Sequence, residues 1–434
     1  MKKRIHYLFV IPAYVPFAGG AQTFLQSMAQ RLVDDGHRVT ILTTNARRMQ
    51  DFWRPPGKDE CPLPREETLE GVQVKRLPLA YPPPAPYLFG ILRRASHGLH
   101  GSGLSPRLQR PLLRRLSGWM PPLKGGGAAF RRLVSQADLV HAVDSSWDGL
   151  FTSAANAAHR YGKPFVAQPL MHLGDARVRA HFQMVHQVDT YRHADALLAL
   201  SAKEAEALAR LAIPQERIYI LPMGIDPPPL GAEHAPSDAR FRQEHTLQGY
   251  VVAFLGANTY DKGAFTLARA VARLNQEGEE VTLVCAGPAR EELIAYLQGM
   301  PAQERDALRD RVRLLGLVDE GTKHRMLAAC DLLALPSQVD AFGIVLLEAW
   351  LHAKPVIGAD AGGIPELVTP GETGLLVPFG DVQALASAIR KLVTDHGLAA
   401  RLGAAGRQRT LKHYTWERTY RQLLGVYESV LRSA

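Results

Sequence analysis

The chain has 434 residues, 46% of them hydrophobic, and a formal net charge of +9 at pH 7. This length and apolar content can bury a large core and predict two or three domains. The three cysteines, Cys61, Cys285 and Cys330, are scattered and form no CxxC pair. Their spacing argues against a disulfide framework or a zinc site, and fits a reducing cytosol.

The first apolar run, residues 4–13, follows basic residues and begins like a signal peptide. The run is too short to span a membrane, and it leads into a glycine turn without an Ala-x-Ala cleavage pattern. We therefore interpret it as the first core strand. The turn contains Gly19 and Gly20, which form either a plain tight turn or a close backbone approach to a ligand. It is not a GxGxxG motif, so a dinucleotide-binding fingerprint is unsupported.

Short apolar runs alternate with helical patterns along almost the whole chain. Because the runs are continuously apolar, we expect parallel, doubly wound sheets with helices on both faces, an α/β fold. The predicted strands are 4–13, 37–45, 72–78, 137–143, 163–170, 194–201 and 217–224 in the first half, and 250–257, 281–287, 312–317, 331–337, 354–360 and 374–378 in the second.

A proline cluster at residues 223–229, followed by a polar stretch, marks a predicted domain boundary. We predict one Rossmann-like domain at residues 1–225 and a second at 226–412, followed by an amphipathic helix within 413–434. A cleft between two such domains is the expected ligand site. Prolines also flank a large predicted insertion in the first domain, at about residues 46–135.

The stretch from residue 71 to residue 137 has no acidic residue but eleven lysines and arginines, mixed with apolar and aromatic residues. One interpretation is a surface for anionic lipid or an anionic acceptor. The other is a solvated loop with helices that cover the core. Nucleic acid is a weaker interpretation because no binding motif accompanies the charge.

Two histidines follow or end apolar runs in the first half. His141 is either a hydrogen-bond donor or proton carrier in the cleft, or a core histidine, and His172 is a second candidate of the same kind. Ser201 is most simply the N-cap of the helix that follows it.

Lys262 lies beside Gly263 at the predicted start of a helix in the second half. An ammonium group there would add to the helix N-terminal field and neutralise a diphosphate. The alternative is a solvated surface lysine.

The segment 336–368 is the most informative part of the sequence. It predicts a strand, an acidic turn, a helix and a second strand, which together form a βαβ unit. Glu348 lies on a largely apolar helix and can accept two hydrogen bonds from the vicinal diol of a ribose, while Asp340 would face sugar hydroxyls. The backbone N–H groups at the helix start would face a phosphate. The predicted donor-binding set is Gly19, Gly20, Lys262, Asp340, Phe342, Gly343, Ile344, Val345 and Glu348.

These motifs occur in one order in a known family. The chain resembles the retaining glycosyltransferases of family four, the "group 1" class with the GT-B fold. The resemblance covers nearly the whole chain, is weakest at residues 46–135 and is most specific at 336–378. There PS, an acid before FG, a glutamate eight positions later, PVI, GG-x-PE and GLLVP follow the family's order, and DGHRVTILTT, LPMGID, DKG and YTWERTY also match.

The resemblance implies two Rossmann-like domains, with a last helix that crosses back to the first. It implies transfer of a sugar from a UDP- or GDP-sugar to a hydroxyl acceptor with retained configuration and no required metal or other cofactor. Glu348 would hold the donor ribose, Asp340 the transferred sugar and Lys262 the diphosphate. The Gly19–Gly20 loop would approach the phosphate and acceptor. Asp340, Lys262 and His141 are the candidate catalytic residues.

Several positions depart from the family pattern. Asp340 replaces the usual glutamate, which could alter sugar preference. Ala257 stands where an arginine is common, so Lys262 would carry the phosphate charge without its usual partner. Val143 replaces the second histidine of the DxVHxH strand, which weakens a catalytic role for His141, and Met223 replaces an asparagine.

The alternatives are a sugar-nucleotide epimerase of the same fold, a non-catalytic sugar-nucleotide binder and a nicotinamide dehydrogenase, which the missing GxGxxG disfavours. The basic segment favours a lipid-linked or envelope glycan acceptor and an anionic membrane as partners, with no nucleic acid. We expect a cytoplasmic protein at the inner face of the membrane.

Overall fold

The computed structural model describes residues 4–17, 19–57, 60–83, 85, 87–125, 127–173, 176–227 and 237–433. Contacts within the chain divide it into two units. Unit 1 comprises Met1–Met171, Asp175–Pro222 and Thr419–Ala434, and unit 2 comprises His172–Gly174 and Met223–Arg418. The predicted boundary at 223–229 and the polar stretch after it fall partly on residues 228–236, outside the described residues.

The described residues of unit 1 contain an eight-stranded sheet in the order β3-β4-β2-β1-β5-β6-β7-β8. All neighbouring strands are parallel except the edge pair β3–β4, which is antiparallel. The strands are β1 His6–Val10, β2 Arg38–Thr44, β3 Glu66–Leu69, β4 Val72–Leu77, β5 Leu139–Val143, β6 Phe165–Gln168, β7 Ala196–Ala199 and β8 Ile218–Ile220.

Eight described helices lie between or after these strands in the first part of the chain. They are α1 Gly20–Asp34, α2 Leu88–His100, α3 Pro106–Ser117, α4 Gly127–Gln136, α5 Asp148–Arg160, α6 Ala176–His181, α7 Val185–Arg192 and α8 Ala202–Ala209. Every residue of β1, β5, β6 and β7 is buried. Both faces of the central strands are therefore covered, as the continuously apolar runs predicted.

Within its described part, unit 2 contains a six-stranded parallel sheet in the order β11-β10-β9-β12-β13-β14. Its strands are β9 Tyr250–Leu255, β10 Val281–Ala286, β11 Val312–Gly316, β12 Leu332–Leu335, β13 Val356–Ala359 and β14 Leu375–Val377. Its described helices are α9 Ser237–Glu244, α10 Ala264–Gln276, α11 Arg290–Gln298, α12 Ala302–Ala307, α13 Glu320–Ala329, α14 Ile344–Leu351, α15 Ile364–Leu367, α16 Val382–Thr394 and α17 His396–His413. The final helix, α18 Trp416–Ser433, begins in unit 2 and runs into unit 1.

All thirteen predicted strands are present, and the α/β prediction is confirmed in both sheets. The sequence pattern missed β3, whose residues alternate between exposed and half-buried at the sheet edge. A short polar strand carries no apolar run, so periodicity alone did not reveal it.

The strand order of unit 2 reverses direction between β9 and β12, and that of unit 1 between β1 and β5. In open parallel sheets, ligands bind outside the carboxyl ends of strands at such switch points. The loops after these four strands are therefore where a site is expected.

Candidate functional site

Two sequence-predicted loops meet at the switch point of unit 2. The loop after β9 carries Lys262, and the loop after β12 carries Asp340. β9 and β12 are hydrogen-bonded neighbours, with Leu332 opposite Val252 and Leu333 opposite Ala253. Lys262 and Asp340 are thus brought together by strand order, although 78 positions (340 minus 262) separate them in sequence.

Close backbone contacts hold the two loops together. The N–H of Gln338 donates to the carbonyl of Asp261 over 2.9 Å. Gly263 has a φ of 83°, and a Cβ atom built on it would lie 2.1 Å from the carbonyl oxygen of Pro336. Only glycine fits this position without displacing the second loop.

The ammonium group of Lys262 lies 3.2 Å from Oδ2 of Asp340, with side chains 25% and 21% exposed. Oδ2 is buried and accepts no hydrogen bond in the described structure. The contact with Lys262 is therefore an ion pair that lacks the alignment of a hydrogen bond. The backbone carbonyl of Asp340 accepts from the N–H of Gly363 over 2.8 Å, which fixes the acidic turn against the Gly362–Gly363 turn. The pair therefore leaves hydrogen-bonding capacity on both side chains for a ligand.

Helix α14 begins immediately after this turn. Its N-cap, Gly343, has a left-handed conformation with a φ of 87°. The first N–H groups of a helix lack intrahelical acceptors and carry a partial positive charge, so those of Ile344 and Val345 favour an anion. Phe342 is buried and packs against Tyr414, with ring centroids 5.8 Å apart.

Glu348 lies farther along α14 and pairs with a residue that sequence reasoning missed. Its Oε1 lies 2.5 Å from Nζ of Lys323 on α13, which also lies 2.8 Å from Oε2 of Glu320. Burial raises the pKa of Glu348, and the nearby Lys323 opposes that shift. Lys323 shares a helix face with the buried residues Met326 and Leu327. A lysine on an apolar helix face is the sequence signal that could have indicated a buried partner for Lys323.

Unit 1 places the predicted glycines at its own switch point. Helix α1 begins at Gly20 after β1, and Gly19 is its extended N-cap. Ala18, in the middle of the same turn, lies outside the described residues. The N-terminus of a 15-residue helix therefore follows the central strand.

His141 lies inside β5 and is 1% exposed. Its Nδ1 lies 2.7 Å from the hydroxyl of Tyr427 on α18, and its Nε2 is buried with no hydrogen-bond partner in the described structure. Burial lowers the pKa of His141 to about 3, so the ring is neutral at physiological pH. This environment is that of a core histidine, the second of the two interpretations.

Two other residues from the sequence also have defined positions. Nδ1 of His172 lies 2.8 Å from the carbonyl oxygen of Val339, the residue before Asp340. Ser201 accepts a hydrogen bond from the N–H of Glu204 over 3.2 Å, which confirms it as the N-cap of α8.

The predicted insertion carries a helix pair, α2 and α3. Phe89 on α2 stacks on Trp147 after β5, with ring centroids 4.5 Å apart, and Trp147 stacks on Phe52 at 4.0 Å. On α3, Arg110 and Arg114 pair with Asp189 of α7. One side of this helix pair therefore packs against the rest of unit 1.

The helix pair and the residues at its ends also expose the large apolar side chains of Tyr87, Ile91, Leu108, Leu112 and Trp119, and we call this exposed surface the outer helical face. Arg93, Arg94, Arg107 and Arg115 on the same two helices are also exposed. Part of the proline-rich stretch before α2, Pro84 and Pro86, lies outside the described residues.

Comparisons with known proteins agree with this arrangement. A model of the "Glycosyl transferase 4-like domain" matches residues 19–224, and a model of "Glycosyl transferases group 1" matches residues 237–409. The alpha-maltose-1-phosphate synthase of Mycolicibacterium smegmatis is 30% identical over 338 residues, which cover 71% of this chain and 86% of the synthase. The chain belongs to the glycosyl transferases group 1 family.

A D-inositol 3-phosphate glycosyltransferase of Salinispora tropica is 31% identical over 62% of this group 1 chain and 60% of its own length. The HepE protein of Anabaena, solved in complex with UDP-glucose, superposes with a TM-score of 0.69 and 20% identity over 98% of this chain and 100% of its own. These matches show the GT-B class of the fold and a hexosyltransferase that uses a nucleotide sugar.

Two absences concern the residues that the structure describes. In the described ranges, no three His, Cys, Asp or Glu side chains are grouped to hold a metal ion. Among the helices that the structure describes, none of this group 1 glycosyltransferase is long and apolar enough to span a bilayer.

Proposed function

We propose that this glycosyltransferase transfers a hexose from a UDP- or GDP-sugar to an acceptor hydroxyl with retention of anomeric configuration. The observation that carries the proposal is the pairing of Lys262 with Asp340 at 3.2 Å, directly before the N-terminus of α14. One cation, one anion and a set of free N–H groups at a strand switch point suit a ligand with both a diphosphate and sugar hydroxyls.

Each residue has a proposed role that follows from its chemistry. Lys262 and the N–H groups of Gly343, Ile344 and Val345 would bind the diphosphate, and Asp340 would accept hydrogen bonds from the transferred sugar. Phe342, buried against Tyr414, would keep the turn in place.

Two further roles complete the proposed donor site. Glu348 would accept the hydroxyls of the donor ribose, because an ionised carboxylate is an acceptor-only group. The Gly19–Gly20 turn of unit 1 would contact the phosphate and the acceptor through the N-terminus of α1.

The proposed reaction is a front-face displacement. The bond between the anomeric carbon and the acceptor oxygen forms on the face from which the phosphate oxygen departs. The proton of the acceptor hydroxyl passes to an oxygen of the departing phosphate. Stabilisation of that leaving group by Lys262 and the helix N-terminus is the largest contribution we expect. His141 has no step here, since its ring is enclosed in β5. No metal ion is assigned a role.

Product analysis distinguishes the two remaining alternatives from a glycosyltransferase. An epimerase would convert the nucleotide sugar without an acceptor, and a non-catalytic binder would retain the nucleotide sugar unchanged. The binder is worth testing because Ala257 and Val143 replace residues common in the family.

A ligand panel followed by product analysis tests the proposal. Thermal unfolding is measured with UDP-, GDP- and ADP-sugars, and a ligand at about 100 times its Kd should stabilise the protein by roughly 2.7 kcal/mol. The stabilising donor is then incubated with a membrane lipid extract, and the anomeric configuration of the product is read by NMR. An inverted product, a new free nucleotide sugar, or no stabilising donor would each contradict the proposal.

The acceptor is proposed to be a lipid-linked or envelope glycan, reached at an anionic membrane surface on the cytoplasmic side. The outer helical face supports this proposal, because it combines five exposed apolar side chains with exposed arginines and contains no acidic residue. Apolar side chains gain from insertion at a lipid interface, while arginines are attracted to anionic headgroups. A soluble anionic glycan would satisfy only the arginines.

Sedimentation with liposomes tests this docking surface. Binding is expected with vesicles containing phosphatidylglycerol and not with pure phosphatidylcholine, and added salt should weaken it. The triple charge reversal R94E, R107E and R115E should abolish binding, whereas R290E on the exposed start of α11 should not. Equal binding to both vesicle types, or no binding to either, would refute the membrane contact.

A further inference from the structure

Lys323 contacts Glu348 from a neighbouring helix, and neither the sequence motifs nor the family resemblance gave it a role. Its ammonium lies 2.5 Å from Oε1 of Glu348 and 2.8 Å from Oε2 of Glu320. The side chains of Lys323 and Glu348 are only 13% and 11% exposed, whereas Glu320 is largely in solvent. The cation therefore connects a buried carboxylate with an exposed one.

The position of Lys323 is unusual for a lysine. Met326 and Leu327, three and four positions farther along α13, are buried on the same helix face. A lysine there loses most of its hydration, and only a close carboxylate offsets that loss. The pairing with Glu348 is thus what makes a charged residue compatible with this face.

The pairing also affects the protonation of Glu348. Burial raises the pKa of Glu348, and the charge of Lys323 reduces this rise without cancelling it. Burial would lower the pKa of Lys323, but the carboxylates of Glu348 and Glu320 outweigh it and the net change is upward. An isolated carboxyl group at this depth would tend to bind a proton, and a protonated carboxyl cannot accept two equivalent hydrogen bonds from a diol.

We propose that Lys323 is a positioning residue for the donor nucleotide: its ammonium group lies against Oε1 of Glu348 and leaves Oε2 to accept the ribose hydroxyls. The inference rests on the proposed role of Glu348 in donor binding. A purely structural ion pair between α13 and α14 would affect stability, but it would not affect how the protein distinguishes ribose from deoxyribose. That difference makes the inference testable.

The experiment measures binding of UDP and GDP and of their 2′-deoxy counterparts by calorimetry. The wild type should bind the ribonucleotide about tenfold or more tightly than the deoxynucleotide, the range for a hydrogen bond to a charged group. In Lys323→Met this ratio should fall to within about twofold, as in Glu348→Gln. Lys323→Arg should keep most of the ratio, because the guanidinium retains the charge.

Two controls separate the local effect from a general one. Glu320→Gln removes the exposed carboxylate and should leave the ratio unchanged, and Lys391→Met removes an exposed lysine elsewhere in unit 2 with the same expectation. Thermal melting by circular dichroism checks each variant. If Lys323→Met does not fold, Lys323→Gln provides the same comparison with a polar side chain.

The outcomes distinguish two failures. If no nucleotide binds the wild type, or if ribose and deoxyribose bind equally, the proposed role of Glu348 fails and the inference fails with it. If the wild type discriminates and Lys323→Met discriminates to the same degree, only the role of Lys323 is refuted. Tighter nucleotide binding in Lys323→Met would also refute it, because Lys323 would then obstruct Glu348.

Discussion

The two units share a sheet topology but differ in the residues that come directly after their switch-point strands. In unit 2 these loops and the adjoining helices carry opposite charges in pairs, Lys262 with Asp340 and Lys323 with Glu348. In unit 1 the loops after the strands carry a glycine turn and an aromatic stack around Trp147, and β5 itself contains the neutral, buried His141. The sheet topology thus supplies a place for a ligand, while the loop residues decide which chemistry that place can perform.

The energetic demands of the two regions differ accordingly. The partly buried pairs of unit 2 lose hydration, and their charges remain available for a charged ligand. The strand ends of unit 1 are stabilised by burial of aromatic area, with few charges to lose. We therefore expect substitutions in unit 2 to act mainly on activity and those in unit 1 mainly on stability.

The largest expected effect is on catalysis by Lys262→Ala. Loss of the ammonium beside the departing phosphate should lower kcat by roughly 100- to 1000-fold, as when one electrostatic stabiliser is removed. Steady-state kinetics with the donor found by the ligand panel provide the measurement. Lys391→Ala is the matched control, and unchanged turnover in Lys262→Ala would remove the central part of the mechanism.

For Asp340→Asn we expect smaller effects, which have opposite signs for UDP binding and for sugar transfer. UDP has no transferred sugar, so removal of the carboxylate should free Lys262 and strengthen UDP binding severalfold. Transfer needs the sugar contact, so kcat/KM for the donor should fall by roughly 10- to 100-fold. Calorimetry and kinetics on one preparation measure both. A parallel loss of UDP affinity and activity would contradict the assigned contact with the sugar.

The third prediction concerns His141 and pH. Burial lowers its pKa to about 3, well below the 6.5 of an exposed histidine. The unfolded chain therefore binds this proton first, and stability is lost as the pH falls from about 6.5 towards 3. Between pH 7 and pH 5 the loss should be about 2 kcal/mol.

Urea unfolding of wild type and His141→Phe at both pH values checks this prediction. The variant lacks the titrating ring, so only the wild type should lose this stability on going from pH 7 to pH 5. The difference in unfolding free energy between the two proteins should therefore be about 2 kcal/mol smaller at pH 5 than at pH 7. Tyr427→Phe is the control, since it removes the hydrogen bond but keeps the imidazole. A gap that does not change with pH would show that folding does not lower the pKa of His141.

The smallest expected effect is on the outer helical face. Ile91→Ser and Leu108→Ser should each change stability in lipid-free buffer by no more than about 0.5 kcal/mol, because both side chains are exposed. Leu113→Ser on the buried side of α3 is the contrast and should cost roughly 3 kcal/mol. Comparable losses in all three variants would indicate that the outer face is covered.

The sequence predicted the elements of the candidate site well, for a physical reason. Parallel strands bring their carboxyl ends to one edge, so Lys262 and Asp340 could be placed together from strand assignments alone. Strand β3 was missed because Glu66 and Glu67 show no apolar run. Its place at the sheet edge depends on pairing with β4.

The remaining features depend on partners that are distant in sequence. The hydroxyl that Nδ1 of His141 contacts belongs to Tyr427, 286 positions away, so the choice between a core and a cleft histidine was open in the sequence. Lys323 was missed because an isolated lysine on a helix is by default a solvated residue. Only its distance of 2.5 Å from Glu348 reveals the pairing.

The last helix has a consequence for how the chain can be divided. Unit 1 includes residues 419–434, and within it the Tyr427 ring stacks on Tyr7 of β1 with centroids 5.0 Å apart. A fragment that stops near residue 222 would expose this part of β1 to water. During synthesis the packing of the first unit is therefore completed only after the second unit has been made. A chimera that exchanges the first unit must carry α18 from the same parent.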